Sequence, residues 1–143
     1  MSALDQLTFD DLVANFDWLD SWEDRYRYLL DLGKKLRPYP EELRDEKHKI
    51  SGCQSQVWME ITWEGDPPVL SFLADSDAHL VRGILAVLTV LLSGRTAAEV
   101  AGLDIRRDLD RLDLTDHLSP TRNNGLHSMI ATIQASARRL TAS

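Results

Sequence analysis

Apolar residues recur at helical spacing in the first third of the chain and predict two helices. Thr8 is a favourable N-cap for the first helix, and Asp10 and Asp11 follow in the first turn, where negative charge suits the helix dipole. The second helix is predicted to begin at Ser21. Its apolar face is made of Trp22, Tyr26, Leu29, Leu30, Gly33 and Leu36. Pro38 and Pro40 are expected to stop it.

The spacing of apolar residues changes to two after residue 56, which predicts a half-buried strand. Val57, Met59, Ile61 and Trp63 alternate with more polar neighbours. Residues 65–68 read Gly-Asp-Pro-Pro and predict a turn, after which residues 69–74 return as a second strand. The pair is expected to form an antiparallel hairpin. The charged segment before it, residues 41–49, is expected to be exposed.

The second half of the chain predicts helices again. Residues 78–92 are apolar nearly all round, which is typical of a buried central helix, and Asp75 and Asp77 are placed to cap it. Thr96 and Glu99 predict a capping box for a short helix that ends near Gly102. Residues 104–118 predict one or two short helical turns. Ser119 and Pro120 then open a last helix, whose inner stripe is Leu126, Met129, Ile130, Ile133, Ala137 and Leu140.

The order of helices, hairpin and helices predicts an α+β fold. Its small antiparallel sheet, built on a hairpin over about residues 56–74, is expected to pack against the N-terminal and C-terminal helices. The 143 residues suit a single domain over residues 1–143.

Composition narrows the function classes. The chain is 43% hydrophobic and 27% charged, with a formal net charge of −7. An acidic chain without a basic run is a poor partner for nucleic acid. The most apolar stretch, residues 83–92, is too short to span a bilayer, and no signal peptide pattern opens the sequence. A single cysteine excludes an internal disulfide and fits a reducing compartment, so a cytoplasmic protein is expected.

Cys53 is the strongest candidate for a chemically reactive side chain. Its neighbours are small or polar, and Gly52 permits unusual backbone angles beside the thiol. A lone cysteine is also commonly an inert buried residue, and the residues alone leave both interpretations open. The four histidines, His48, His79, His117 and His127, show no metal-ligand spacing, so no metal site is expected.

Four ordered blocks resemble the SufE/CsdE family of sulfur acceptors. The first surrounds the cysteine, Gly52-Cys53-Gln54-Ser55-Gln56-Val57-Trp58. The others are Trp22-Glu23-Asp24-Arg25-Tyr26 with Leu32-Gly33, Asp75-Ser76-Asp77-Ala78 with Val81-Arg82-Gly83, and His117-Leu118-Ser119-Pro120-Thr121-Arg122 with Gly125-Leu126. Family members often carry lysine where this chain has Arg82. The resemblance covers nearly the whole chain.

The resemblance implies a function for Cys53. Members of the family accept a persulfide sulfur from a pyridoxal-phosphate-dependent cysteine desulfurase, stimulate that enzyme, and pass the sulfur to an iron–sulfur scaffold complex. A desulfurase similar to SufS or CsdA and a scaffold similar to SufBCD are therefore the expected partners. Pyridoxal phosphate belongs to the partner, so no cofactor is expected in this chain. A monomer or a weak homodimer is expected, without contact to membranes. The resemblance separates neither the two branches of the family nor the final sulfur acceptors.

Further residues are placed around the cysteine by the same resemblance. Arg122 is expected to stabilise the thiolate or to contact the partner; the alternatives are an ion pair with an acid such as Asp116, or simple solvation. Asp75 and Asp77 are predicted by residue type to be helix caps, and the resemblance implies that one of them also faces the desulfurase. Gly52, Gln54 and Ser55 would shape the loop, and Trp58 would shield it or contact a partner.

Two other functions stay open at this stage. One is a cysteine-dependent hydrolase or transferase, for which His48 is the nearest candidate base. The other is a regulatory module that occupies the desulfurase without taking sulfur.

Overall fold

The computed structural model describes residues 3–52 and 55–141. The α-helices are α1 (Phe9–Trp18), α2 (Trp22–Gly33), α3 (His79–Leu92), α4 (Ala97–Gly102), α5 (Ile105–Asp110) and α6 (Pro120–Thr141), and the strands are β1 (Val57–Glu64) and β2 (Val69–Ser76). Short 3₁₀ turns lie at Ala3–Gln6, Glu41–Leu43 and Thr115–His117. Cys53 and Gln54, two of the predicted site residues, lie outside the described residues.

The predicted N-caps of the first two helices are confirmed. The Thr8 hydroxyl accepts a hydrogen bond from the Asp11 amide, and the Asp11 carboxylate accepts one from the Thr8 amide, which makes a complete capping box. The Ser21 hydroxyl accepts a hydrogen bond from the Asp24 amide in the same way.

The predicted end of α2 was wrong, because the helix stops at Gly33 and not at the prolines. The amides of Lys35 and Leu36 donate to carbonyls three residues earlier, and this tighter turn ends the helix. Leu30 was predicted to face inward and is instead 36% exposed. The contact with α3 is centred on Leu29 and Gly33, four residues apart on one face, so the side chain after Leu29 points away.

The antiparallel hairpin is confirmed. β1 and β2 pair from Val57 opposite Ser76 to Glu64 opposite Val69. β2 runs two residues further than predicted, because Asp75 and Ser76 stay in register with Trp58 and Val57. The two strands form a two-stranded sheet whose inner face packs against helices.

α3 is the central helix, as its composition predicted. It contacts α1, α2 and β2, and residues from Val81 to Leu92 on most of its surface are buried. α2 crosses α3 where two glycines meet: a Cβ on Gly33 would lie 2.9 Å from the Gly83 amide nitrogen, and one on Gly83 would overlap the Leu29 carbonyl. The two backbones therefore approach more closely than alanine at either position would allow.

The C-terminal part also follows the prediction closely. The Thr96–Glu99 capping box opens α4, and the Ser119 hydroxyl accepts from the Arg122 amide at the start of α6. The inner stripe of α6 is buried except for Leu140, which was predicted to be inside and is 45% exposed. Leu140 lies in the last turn of the helix, beyond the buried Ala137. Within residues 3–52 and 55–141, every helix is too short or too polar to cross a membrane.

Candidate functional site

The loop that carries Cys53 is closed at its base by backbone hydrogen bonds. The Ile50 amide donates to the Val57 carbonyl, and the Met59 amide donates to the His48 carbonyl, both at 2.8 Å. Residues 48–50 therefore run antiparallel to the start of β1, and residues 51–56 connect the two segments. This arrangement holds both ends of the loop against the sheet.

Two further contacts hold the described parts of this loop. Gly52 has a φ of +85°, a conformation that favours glycine, and a Cβ there would lie 2.6 Å from the Ser128 hydroxyl of α6. On the other side of the cysteine, the Gln56 amide donates to the Asp77 carboxylate at 3.0 Å, and the Asp77 amide donates back to the Gln56 carbonyl. The positive φ favours glycine at this position, and a larger residue would also force the Ser128 hydroxyl to move.

A small cleft opens beside Ser55. Its floor is apolar and buried, and it comes from β1, α3 and α6: Val57, Val81, Ile84 and Met129. Its rim is more polar and is formed by Ser55, Thr121 and Arg122, and the buried Gly125 of α6 also lines the cleft. The predicted site residues Ser55 and Arg122, which are 67 positions apart in sequence, therefore line the same cleft.

Arg122 brings a positive charge to this rim. It lies in the first turn of α6, and its side chain forms none of the ion pairs found within the described residues, including the pair with Asp116 that the sequence left open. The guanidinium and the helix N-terminus both favour negative charge at this end of the cleft.

Asp75 and Asp77 do not cap α3, so this prediction was wrong. The N-cap is Ala78, and its amide donates to the Ser76 hydroxyl. The Asp77 carboxylate is instead hydrogen-bonded to Gln56, as described above. Asp75 remains within β2, where its carboxylate meets two arginines, Arg44 from the segment before the loop and Arg82 from α3.

The Asp75 carboxylate ties the charged segment before the loop to the sheet. Arg44 Nη2 donates to Asp75 Oδ2 at 2.7 Å, and this hydrogen bond raises the pKa of Arg44. Arg82 Nε lies 3.0 Å from Asp75 Oδ1 without a hydrogen-bonding angle, so that contact is electrostatic. The Asp75 side chain is only 16% exposed, which strengthens both contacts relative to a fully solvated pair.

Trp58 lies on the same face of the hairpin as Asp75, its partner in register. The Arg44 guanidinium carbon is 5.0 Å from the Trp58 ring centroid and 5.3 Å from that of Tyr39. Trp58 is half-buried under this cation. The side chain therefore supports the segment that leads into the loop.

His48 is held between two carboxylates. Its Nδ1 lies 2.7 Å from Asp45 and its Nε2 lies 2.5 Å from Glu60. The hydrogen bond with Asp45 raises the pKa of His48 above its ordinary value, against a smaller opposing effect of burial. Both ring nitrogens are thus occupied.

Sequence reasoning missed Arg44 and Ser128. Arg44 lies in a run of charged residues that is typical of a solvated surface, and its contacts with Trp58 and Asp75 depend on residues further along the chain. Gly52 signalled an unusual backbone, but nothing in the sequence identifies Ser128 as the residue packed against it. Among the described residues, no three histidine, aspartate or glutamate side chains meet as a metal-binding group.

Comparison with known proteins agrees with this architecture. A family model described as SufE, an Fe–S metabolism associated domain, matches residues 10–137. An uncharacterized SufE-like protein of Rhizobium etli is 44% identical over 140 residues, which cover 96% of this chain and 91% of that protein. A second uncharacterized SufE-like protein, from Rhizobium meliloti, is 42% identical over 139 residues, with 96% of each chain covered.

The fold also matches a solved structure. The solution structure of a hypothetical protein from Thermus thermophilus has a TM-score of 0.74 and 21% sequence identity, over 94% of this chain and 96% of that one. That likeness concerns the fold alone, whereas the family model and the Rhizobium relatives concern the sequence. This chain belongs to the SufE family, and that membership supports a sulfur-transfer role in iron–sulfur metabolism.

Proposed function

We propose that this protein is a cytoplasmic sulfur carrier that accepts a persulfide sulfur on Cys53 from a pyridoxal-phosphate-dependent cysteine desulfurase. It stimulates that enzyme and passes the sulfur to an iron–sulfur scaffold complex. One observation carries the proposal: Ser55, two residues after the only cysteine, lines a cleft with an apolar floor and Arg122 on its rim.

The transfer step is a thiol exchange. The Cys53 thiolate attacks the outer sulfur of the donor's persulfide, a new S–S bond forms on Cys53, and the old S–S bond breaks. The donor cysteine leaves as a thiolate, so one sulfur atom moves with no net oxidation or reduction. A thiolate of the acceptor then repeats the same step on Cys53. Because the chain has one cysteine, no second thiol within it can release the sulfur as an internal disulfide.

The cleft suits both stages of this chemistry. Arg122 and the N-terminus of α6 favour the thiolate, which is the attacking form. The buried floor of Val57, Val81, Ile84 and Met129 offers an apolar surface that excludes water and soluble reductants from a loaded sulfur. We propose that Asp75, Asp77 and Trp58 hold the loop and its flanking segment for docking of the partner.

The position of His48 argues against a cysteine hydrolase. A catalytic base must offer a free nitrogen to the thiol, whereas both ring nitrogens of His48 face carboxylates and its pKa is raised. An imidazole whose two nitrogens both contact carboxylates is a poor base for a neighbouring thiol.

Mass spectrometry of the intact protein tests the proposal. After incubation with a cysteine desulfurase and cysteine, we expect a gain of about 32 Da, one sulfur atom, on wild-type protein and none on Cys53→Ser. Dithiothreitol should remove the added mass. Wild-type protein that stays unmodified, or that gains an acyl group from an ester substrate, would overturn the carrier function.

The same variant separates transfer from regulation. If Cys53→Ser stimulates sulfide or alanine production by the desulfurase as strongly as wild type does, the chain acts as a regulatory module. We expect the stimulation to be lost, because without the thiol the enzyme's persulfide has no acceptor.

A further inference from the structure

One edge of β1 is unpaired beyond residue 59. Val57 and Met59 direct their backbone groups to residues 48–50, away from β2. Because alternate residues of a strand direct their backbone groups to the same side, Ile61 and Trp63 also face this outer edge. Among the backbone hydrogen bonds of the described chain, none involves the outer edge at Ile61 or Trp63.

An open groove of about 330 Å³ runs along this edge. One wall is formed by residues 47–51, which lead into the Cys53 loop. The other is formed by α6, with Thr132 and Ser136. Met59 and Ile61 contribute apolar surface between them. The groove is therefore continuous with the loop that carries the cysteine.

Three exposed cations line the groove: Lys47, Lys49 and Arg139. None of them takes part in the ion pairs of the described residues. Glu60 also lines the groove, but its carboxylate contacts His48, as does the carboxylate of Asp45. This positive groove stands out in a chain whose net charge is −7.

We propose that the groove binds an extended acidic segment of the cysteine desulfurase, which adds to the free edge of β1 as a further strand. The proposal rests on the proposed function and names the surface through which the donor is held. Unpaired backbone groups at Ile61 and Trp63 supply hydrogen bonds to an extended chain. Lys47, Lys49 and Arg139 supply charge complementarity to carboxylates of that chain. Docking along this groove would bring the donor beside the Cys53 loop.

Binding measurements with charge-reversed variants test the proposal. Calorimetry of the full chain with the desulfurase, without cysteine so that no persulfide forms, gives the dissociation constant. We expect Lys49→Glu with Arg139→Glu to weaken binding by about tenfold or more, because two attractive contacts become repulsive. The matched control is Arg107→Glu with Arg138→Glu, which changes the net charge equally at exposed positions outside the groove. Arg138 and Arg139 share the last turn of α6, so the helix dipole affects both alike.

Amide hydrogen exchange tests the backbone part. On adding the desulfurase, the amides of Ile61 and Trp63 should exchange more slowly by about tenfold or more. The amide of Thr62 faces β2 in both states and should change little. Circular dichroism of each variant checks that the fold is kept.

Equal weakening by the two charge pairs, or unchanged exchange at Ile61 and Trp63, would overturn the inference. Self-association of the Lys49→Glu, Arg139→Glu variant, with unchanged affinity for the desulfurase, would also overturn it. In that case the cations would serve only to keep the open edge of β1 from pairing with other copies of the chain. In each of these cases persulfide formation on wild-type Cys53 would leave the proposed function standing. Absence of that persulfide would instead remove the function itself.

Discussion

Arg122 is the residue whose charge bears most directly on the cleft. It lies on the rim beside Ser55 and forms no ion pair with any acid of the described residues, so its charge is available to a neighbouring anion. Arginine in the first turn of a helix opposes the helix dipole, at a cost of about 0.3–1 kcal/mol when exposed. In the proposed function, attraction between the Arg122 cation and the Cys53 thiolate offsets this local cost.

Replacing Arg122 should slow the reaction of Cys53. We expect Arg122→Ala to lower the rate of alkylation by iodoacetamide at neutral pH by about three- to tenfold, because a nearby cation favours the thiolate. Arg122→Lys should retain most of the rate. Arg138→Ala, which removes an exposed charge away from the cleft, is the control. An alkylation rate that is equal in Arg122→Ala and wild type would show that the guanidinium does not act on the thiol.

His48 should make stability depend on pH. Its pKa is raised above the ordinary 6.5, first by the hydrogen bond with Asp45. A group with a raised pKa in the folded state contributes stability in full below its unfolded pKa, and loses it as pH rises through the folded pKa. The free energy of unfolding lost in His48→Gln should therefore be larger near about pH 6 than near about pH 9. Urea titrations of both proteins measure this difference, and one that is constant with pH would contradict the assignment.

At the scale of secondary-structure elements, the crossing of α2 and α3 depends on two glycines. Gly33 and Gly83 let the backbones approach so closely that an added Cβ on either would meet backbone atoms of the other helix. Backbone cannot rotate away as a flexible side chain can, so the helices must separate to make room.

Alanine at the crossing should therefore destabilise the protein. We expect Gly83→Ala to cost about 1–3 kcal/mol or more, although alanine is the better helix former. Gly102→Ala is the control: it lies at the end of α4, where an added Cβ would meet nothing within 4 Å, and should be neutral or slightly stabilising. Thermal or urea unfolding measures both variants. Equal stability of the two would contradict the close packing.

Elements governed by neighbouring residues were predictable from the sequence. The caps at Thr8, Ser21, Thr96 and Ser119 each act on an amide within three positions, so the local pattern contains all the information. Asp75 and Asp77 looked like caps by the same local rule. Their actual partners are Arg44, Arg82 and Gln56, two of which come from more than 20 positions away. Tertiary contacts overrode the local preference there.

At the scale of the whole molecule, the sequence likewise predicted the order of the elements but not the contacts between distant segments. The order of helices and strands predicted an α+β fold with one hairpin, and the resemblance of four blocks extended over nearly the entire chain. The sequence could not show that the loop carrying Cys53 lies against Ser128 of α6, or that Ser55 and Arg122 share a cleft. Those contacts depend on how α6 packs beside β1 and α3. The candidate site is thus assembled from segments that only the complete fold brings together.

In the proposed function, a sulfur atom stays on Cys53 only between its transfer from the desulfurase and its transfer to the scaffold. A pulse of cysteine labelled with radioactive sulfur, supplied with the desulfurase, should place the label on wild-type protein. A chase with unlabelled cysteine and the scaffold complex should move it to the scaffold as it leaves Cys53. Label that never appears on wild-type protein would contradict this transfer. So would label that stays on Cys53 while the scaffold nevertheless acquires sulfur.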